Sequence, residues 1–406
     1  MTEMWTPPYP EPGSANDAAF IGIGEIPSGV YPERGFMAQI VEASARAIRD
    51  AQLAHTDIDQ IVLIPCLHGI PDQADLIFSR VAEELGLHGR VKSSVMVHSG
   101  GSTSDNATRM AAGLVASGQA RNVLVVYSER WGSADLQAMI DMLSVNGIPA
   151  EWEAPTGLQF NAIGGLITQR YMHQSGSTAE EMAAICVALR AWANLNPLAM
   201  YYEKTLSAEK ILGSKLISDP IHAFECPFLA DGAGAFVMTS ATEAAKKHDA
   251  WVRIGGSGGC VSHYSAGQDA DLGVLGWVEA AKEAYEAASW GPEDADLAEV
   301  YDSYAAVLAI ALEGLRISPK GEAAREFYKG RFSPGGQFPL NTNGGLLSAG
   351  HTGVGGGTAL LIEGIRQLLH RAGSQRQVPN AQRCIVGGTG GSYMDAQIMM
   401  LERVQR

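Results

Sequence analysis

The sequence predicts an α/β protein built from two similar halves, each with a parallel sheet covered by helices on both faces. Two observations predict this class. Apolar runs of strand length alternate along the chain with segments of helical periodicity, and such alternation is typical of parallel sheets. The order of elements in the first half then recurs in the second, which indicates a duplicated unit.

The first half begins with a strand-like run and then alternates between helix and strand. A helix is predicted from Met37 to Ala51, where apolar residues recur at helical spacing. A Gly/Ser loop at 99–102 leads into another helix, for which Ser104 or Asp105 is the expected N-cap. The predicted strands of this half lie at residues 19–24, 61–64 and 122–127.

The second half repeats this order, again with glycine-rich loops. Helices are predicted near 276–288 and from Ala359 to Leu369. A loop expected at 255–259 has the form G-x-S-x-G, but poor helix-forming residues follow it, so a hydrolase elbow carries little weight. The predicted strands lie at residues 251–254, 296–300 and 384–386. The expected domains are an extended Pro-rich arm at 1–17, an N-terminal half at 18–250 with a mostly helical insertion at about 150–225, and a C-terminal half at 251–406.

Composition argues against several classes of protein. Of the 406 residues, 46% are apolar and 18% are charged, which allows a sizeable core and excludes global disorder. The formal charge of 29 − 44 = −15 argues against nucleic acid or an anionic membrane as partner. The sequence has neither a secretory signal nor an apolar run of the ~18 residues that cross a bilayer. We therefore expect a cytoplasmic protein without a membrane span.

The cysteine and glycine patterns do not support a metal or dinucleotide site. The five cysteines are scattered singly, without C-x-x-C or H-E-x-x-H, so neither a disulfide scaffold nor a metal site is expected. The dinucleotide fingerprint G-x-G-x-x-G does not occur either. The cysteines are Cys66, Cys186, Cys226, Cys260 and Cys384.

Three segments could carry chemistry. The loop at 99–102 opens a helix whose N–H groups would stabilise an anion, although a tight turn is the more frequent explanation. His351 is flanked by glycines that allow close approach of a substrate, which offsets the usual structural role of a lone His. Residues 301–304 follow a strand-like run, where α/β folds place their sites, and Asp302 is also an expected cap for a helix from Ala305.

Two longer motifs, one near the end of the first half and one in the second half, resemble those of a known family. Asn341-Thr342-Asn343-Gly344-Gly345, running into Gly350-His351, is close to N-x-x-G-G…G-H-P. The segment from Glu225 to Ala235 is similar to D-C-C-P-x-x-D-G-A-A-A. From about residue 18 the chain resembles the thiolase superfamily, in particular its sterol carrier protein X-type, or lipid-transfer-protein, branch. The resemblance implies the thiolase fold, a five-layered α-β-α-β-α arrangement of two similar halves.

The chain departs from the thiolase pattern at both catalytic cysteines. The nucleophilic Cys on the loop before the first core helix aligns with Gly101. The second catalytic Cys falls at about Ile385 or Gly387, while Cys384 lies in a strand pattern and is interpreted as a core residue. Ordinary acyl-enzyme chemistry therefore has no thiolate. Ser102 is a weak substitute, because its hydroxyl needs an adjacent base that the sequence does not reveal.

The remaining departures point to a lyase. The branch's H-D-C-F motif reads Tyr301-Asp302-Ser303-Tyr304 here, and Thr352 replaces the Pro of G-H-P, so His351 is the catalytic polar residue retained. Aldolases of the superfamily that cleave steroid side chains from β-hydroxyacyl-CoA esters resemble this chain in lacking the cysteines and in carrying a Tyr in this motif. The resemblance implies a lyase that cleaves or forms a carbon–carbon bond through a thioester enolate.

The resemblance also implies roles for individual residues. Tyr301 is the candidate base for the β-hydroxyl, although its pKa would have to be lowered from ~10. His351, together with glycine-loop amides, is the candidate oxyanion donor. The expected substrate-binding residues are Gly101, Ser102, Tyr304, Asn341, Gly388 and Gly390.

Two other functions stay open at this point. The chain could be an acyltransferase or thiolase-type enzyme with another nucleophile, or a non-catalytic subunit that stabilises an active partner. No tightly bound cofactor is expected, because coenzyme A enters as part of the acyl-CoA substrate. The resemblance further implies a homodimer in complex with a small accessory protein that has an OB-fold and a zinc ribbon.

Overall fold

The computed structural model describes residues 17–65, 77–143, 147–268 and 271–406. Apart from Asp17, the arm expected at 1–17 lies outside these ranges, and so does Cys66. Across the described ranges, no helix is both long and apolar enough to cross a bilayer.

The strands agree with those predicted and include several that the sequence patterns did not reveal, notably β7 and β11. Those of the first 250 residues are β1 (Ala18–Glu25), β2 (Gln60–Ile64), β3 (Ser93–Met96), β4 (Val123–Arg130), β5 (Leu216–Ser218), β6 (Ile221–His222) and β7 (Asp231–Ser240). Those that follow are β8 (Ala250–Val261), β9 (Leu297–Val300), β10 (Arg383–Gly388) and β11 (Asp395–Gln405).

Helices separate most of these strands. Those before β8 are α1 (Phe36–Asp50), α2 (Ile77–Glu84), α3 (Thr103–Ala116), α4 (Leu136–Leu143), α5 (Phe160–Ser175), α6 (Ala179–Ala193), α7 (Ala208–Leu212) and α8 (Ala241–Lys247). Those after β8 are α9 (Trp277–Ala288), α10 (Ala305–Gly314), α11 (Ala323–Tyr328), α12 (Gly345–Ala349) and α13 (Gly356–Leu368).

The strand order is the same in both halves. In the first half β2 pairs in parallel with β3 and β4, and β7 pairs antiparallel with β4 and β1. In the second half β9 pairs in parallel with β10, and β11 pairs antiparallel with β10 and β8. A short parallel bridge from Leu340 to Ala298 stands beside β9 as β3 stands beside β2. Each sheet is therefore mixed rather than purely parallel, because β7 and β11 enter between the neighbouring strands in the opposite direction.

The elements form the five layers expected of the fold. The helix α1 packs on the outer face of the first sheet, around one apolar cluster. The helices α3 and α13 contact each other and strands of both halves, so they form the middle layer. The helices α9 and α10 cover the outer face of the second half. The sheets of the two halves meet where β1 pairs with β8, through Phe20 with Val252 and Ala19 with Arg253. Their strands therefore form one continuous hydrogen-bonded order that runs through both layers.

Two local predictions are corrected. The glycines at 255–259 do not form a loop, because β11 pairs with β8 through this stretch up to Val261. A Cβ at Gly256 or Gly258 would collide with the backbone of α9, so these glycines let the helix lie close to the strand. The N-cap of α3 is Ser102, not Ser104 or Asp105, both of which lie inside its first turn.

The helices α5 and α6 pack on the second half and bring their residues towards one end of its sheet. The helix α6 contacts α11 and α12, and α5 contacts α10. The short β5–β6 hairpin packs against α5. The N-terminus of α5 thereby reaches the loops that follow β9.

Candidate active site

A cavity of about 250 Å³ opens where loops from both halves meet. Its wall includes Gly101 at the start of α3, Tyr301 after β9, His351 before α13 and Thr389 after β10. Loops that follow the carboxyl ends of strands are where α/β proteins place their sites. The residues that the sequence patterns singled out in three separate segments therefore converge on one cavity.

Tyr301 and His351, 50 positions apart in the chain, are in direct contact. The phenol Oη lies 3.1 Å from the imidazole Nε2. The two rings meet edge to face, with centroids 6.0 Å apart at 90°. Both side chains are buried against the cavity wall. The structure thus brings the candidate base and the candidate oxyanion donor together.

Neighbouring contacts determine where the proton sits on His351. The backbone N–H of Gly353 donates to Nδ1 at 3.1 Å, so a neutral ring carries its hydrogen on Nε2 and donates it to Tyr301 Oη. Burial lowers the pKa of His351 to about 4, which keeps the ring neutral around pH 7. Trp131 stacks on the imidazole, with centroids 5.2 Å apart and planes within 7°. His351 is thus a hydrogen-bond donor towards Tyr301.

The protonation state of Tyr301 differs from the sequence-based expectation. Burial raises the pKa of its phenol above the ordinary value, and the neighbouring Asp302 carboxyl adds to the increase. A base role would need a lowered pKa. Because the pKa is raised instead, the free protein holds Tyr301 as a phenol near neutral pH. The Nε2–H of His351 donates to Oη, which leaves the phenol hydrogen free to face a substrate oxygen in the cavity.

The ring of Tyr301 occupies the space beside Gly101. A Cβ placed on Gly101 would lie 2.5 Å from Cε2 and Cζ of Tyr301, far inside van der Waals contact. It would also collide with the carbonyl oxygen of Thr389. Gly101 is the position at which the thiolase pattern places its nucleophilic Cys. A side chain at 101 and the phenol at 301 exclude each other in this packing.

Tyr304, one of the residues predicted to bind substrate, also lies on the cavity wall. Its hydroxyl donates to Asn161 Oδ1 at 2.7 Å. Another tyrosine on the wall, Tyr393, shares a hydrogen bond of 2.9 Å with the Ser303 hydroxyl. These paired hydroxyls are polar points in a wall that is otherwise mostly apolar.

The remaining predicted substrate-binding residues lie behind the wall. Ser102 is fully buried, and its hydroxyl is 2.8 Å from Asp395 Oδ2. Asn341 is fully buried and bonds through its side chain to the backbone of Val300. The prediction of direct substrate contact is therefore corrected for both, because their polar atoms are turned towards protein partners.

The two predicted glycines of the last loop, Gly388 and Gly390, are likewise absent from the wall. A Cβ at Gly388 would collide with the Asp105 carboxylate, and one at Gly390 would collide with the carbonyl of Ser99. They allow the loop to lie against the start of α3, and Gly391 lines the cavity instead. Their role in this packing is steric, which corrects the prediction of a substrate contact.

The sequence patterns did not single out several residues of the cavity wall. Trp131 follows β4 directly, so the strand-end argument that singled out Tyr301 would also have found it. The apolar side chains of α4 recur at helical spacing and would have been found by that signal. Asn161 and Tyr393 carried no comparable pattern. The residues of α4 on the wall are Leu136, Met139, Ile140 and Leu143.

Among the described cysteines, none has the lowered pKa that a nucleophile needs. Cys186 and Cys384 are buried, and burial raises the pKa of both thiols. Cys226 lies on the cavity wall, where burial raises its pKa to about 12. The pKa of Cys260 is also raised by burial. The position of Cys384 in β10 agrees with its interpretation as a core residue.

Known proteins are similar to this chain in sequence and in structure. Residues 258–403 match the family model for the thiolase C-terminal domain-like fold. The chain is 30% identical to the acetyl-CoA acetyltransferase of Methanothermobacter thermautotrophicus over 387 residues, which cover 93% of this chain and 97% of that protein. It is also 30% identical to the 17-hydroxy-3-oxo-4-pregnene-20-carboxyl-CoA lyase of Mycobacterium tuberculosis over 395 residues, with coverage of 93% and 97%.

A solved structure is similar over nearly the whole chain. The Ltp2-ChsH2(DUF35) aldolase superposes with a TM-score of 0.80 at 26% identity, covering 95% of this chain and 98% of that one. Together with the fold and the site, these similarities establish that the chain belongs to the thiolase superfamily.

Proposed function

We propose that the protein is a lyase that cleaves, or forms, the carbon–carbon bond next to a coenzyme A thioester without a covalent acyl-enzyme. The observation that carries this proposal is the packing of the Tyr301 ring into the space beside Gly101. That packing leaves no room for a nucleophile at 101 and puts a phenol in the cavity instead. The similarity to proteins named as a lyase and as an aldolase supports the same reaction.

The site residues suggest how the proton moves. Cleavage starts from the small fraction of the protein in which Tyr301 has lost its phenol proton to solvent. The β-hydroxyl proton then passes to this ionised Tyr301, and the Cα–Cβ bond breaks to give a carbonyl product and the thioester enolate. Cα then takes a proton back from Tyr301, so the reaction consumes no net proton. The Nε2–H of His351 stabilises the phenolate through the 3.1 Å contact. In the forming direction, the phenol is the acid that protonates the new β-oxygen.

The enolate oxygen also needs donors in this scheme. The single Nε2–H of His351 stabilises the phenolate first, and once Tyr301 has taken up the β-hydroxyl proton, this N–H is the proposed donor to the enolate oxygen, together with amides of the glycine loops. Gly101, Tyr301 and His351 lie on the same wall as the apolar side chains of α4. Such a wall suits a bulky apolar acyl group, and the side chain of a steroid is our leading candidate. The CoA moiety is bound as part of this substrate.

An acyltransferase is the second candidate, favoured by the similarity to proteins named acetyl-CoA acetyltransferase. It would require a nucleophile other than Cys. Ser102 has a carboxylate partner in Asp395, but its hydroxyl is buried away from the cavity wall. A non-catalytic subunit is the third candidate, and the paired Tyr301 and His351 in an open cavity argue against it.

Incubation with 17-hydroxy-3-oxo-4-pregnene-20-carboxyl-CoA, the substrate in the name of one relative, tests these functions. The lyase releases the 17-ketosteroid and the shortened acyl-CoA, measured by liquid chromatography and mass spectrometry. The intact protein keeps its mass throughout, whereas a stable acyl adduct would support the acyltransferase. Failure to bind any acyl-CoA would support the non-catalytic subunit.

We further propose a homodimer that binds a small OB-fold/zinc-ribbon accessory protein. A DUF35 partner appears in the name of the similar aldolase structure, which supports an accessory protein for this chain. Light scattering that finds a stable 43.0 kDa monomer at micromolar concentration would contradict the homodimer. The cytoplasmic location stays a sequence-based prediction, which cell fractionation would check.

A further inference from the structure

The residue before Tyr301 is held by the side chain of Asn341. The backbone N–H of Val300 donates to Asn341 Oδ1 at 2.7 Å, and Asn341 Nδ2 donates to the Val300 carbonyl at 2.7 Å. One carboxamide thus satisfies both polar groups of Val300, as a neighbouring strand would. Asn341 adopts a left-handed backbone with φ of 47°, which Asn tolerates better than most residues. All of these atoms are buried.

The residue after Tyr301 is held to the same segment. The carboxyl group of Asp302 accepts the N–H of Leu346 at 2.8 Å and that of Leu347 at 3.1 Å. These amides belong to α12, so Asp302 does not cap the helix from Ala305 as the sequence predicted. Gly345 packs against this carboxyl group so closely that a Cβ there would collide with it.

Both partners lie on the segment that ends at His351. Asn341 opens this segment, α12 follows, and His351 comes two residues after its last helical residue. Tyr301 is therefore anchored on both sides to the stretch of chain that carries its hydrogen-bond partner. We infer that Asn341 and Asp302 are positioning residues that set the contact between Tyr301 Oη and His351 Nε2. This inference deepens the proposed function, but its structural part does not depend on it.

The first test reads the contact directly, by NMR of the protein labelled at His nitrogen. In the wild type the buried Nε2–H of His351 should give a slowly exchanging resonance. Asn341→Ala should speed its exchange with water at least tenfold. Asp302→Asn keeps one acceptor oxygen, so we expect it to fold even if Asn341→Ala fails to fold. It should also speed the exchange of this hydrogen, but by a smaller factor.

Asn122→Ala is the matched control, because Asn122 is also buried and donates from its side chain to a backbone carbonyl, that of Asp57 at 2.9 Å. It should leave the His351 resonance unchanged. An unchanged resonance in both folded test variants would overturn the inference, and so would an equal change in the Asn122 control. This test decides the matter even if the protein has no lyase activity.

The second test rests on the proposed function and separates positioning from general stability. Asn341→Ala should lower kcat by about 10–100-fold with KM changed less than about threefold, since small misplacements of a reacting group are costly. In a Tyr301→Phe background the same substitution should have no further effect on kcat. An equal loss in both backgrounds would show that Asn341 does not act through Tyr301.

Discussion

Gly101→Ala should displace the Tyr301 ring, because the added methyl group needs the same space. Its carbon would lie 2.5 Å from two ring carbons, about 1 Å or more inside normal contact, and would also meet the Thr389 carbonyl. The backbone of Gly101 does not have a positive φ, so Ala adds no backbone strain there. Overpacking of this kind lowers the free energy of unfolding by about 1–3 kcal/mol. The shifted phenol should also lower kcat by at least tenfold.

A double-mutant cycle with Tyr301→Ala isolates the ring contact. Removal of the ring relieves one of the two collisions, so the double variant should be less destabilised than the sum of the single variants by about 1 kcal/mol or more. Urea unfolding of the four proteins measures this difference. Gly113→Ala is the control, because Gly113 lies in α3, the helix that follows Gly101, and a Cβ there meets no atom within 4 Å. It should be neutral or slightly stabilising.

Strict additivity in this cycle would refute the steric argument. So would wild-type stability and wild-type turnover in the Gly101→Ala variant alone. Either result would mean that position 101 has room for a side chain beside Tyr301. The proposal of a reaction without a covalent intermediate would then lose the observation that carries it.

Further predictions concern the chemistry and the thiols. Tyr301→Phe should lower the single-turnover rate by roughly 10²–10⁴-fold, and a rate within about threefold of wild type would remove the phenol from the mechanism. For cleavage, kcat/KM should rise with pH from 7 to 9, since burial raises the pKa of Tyr301; a plateau in this range would identify another base. His351, with a pKa of about 4 against about 6.5 when unfolded, takes up its proton more readily in the unfolded state. Stability should therefore fall as pH drops from about 6.5 towards 4, by up to about 1.4 kcal/mol per pH unit, and less steeply in His351→Gln. Replacement of Cys226 or Cys384 by Ser should cost stability by about 1 kcal/mol or somewhat more but leave turnover largely intact, as activity and thermal unfolding would show.

Much of the fold was determined by the sequence by itself. Alternating strand and helix patterns predicted β1, α1, β2, β4, α9, β9 and β10 close to their observed bounds. These elements follow from local periodicity, because the side-chain spacing of a helix or strand is written in adjacent residues. The sequence also shows directly that position 101 has no Cys and that Tyr301 and His351 are present, since these facts concern residue identity alone.

The tertiary structure decided what those residues can do. Ser102 and Tyr304 were both predicted to contact substrate, but only packing between the two halves puts Tyr304 on the wall and turns the hydroxyl of Ser102 towards Asp395. The Gly353 N–H that assigns the proton on His351 is a short-range contact, but its effect depends on the burial that lowers the pKa of that ring. Burial and steric exclusion arise only in the folded protein, where residues hundreds of positions apart in the sequence pack together. No local pattern in the chain encodes them.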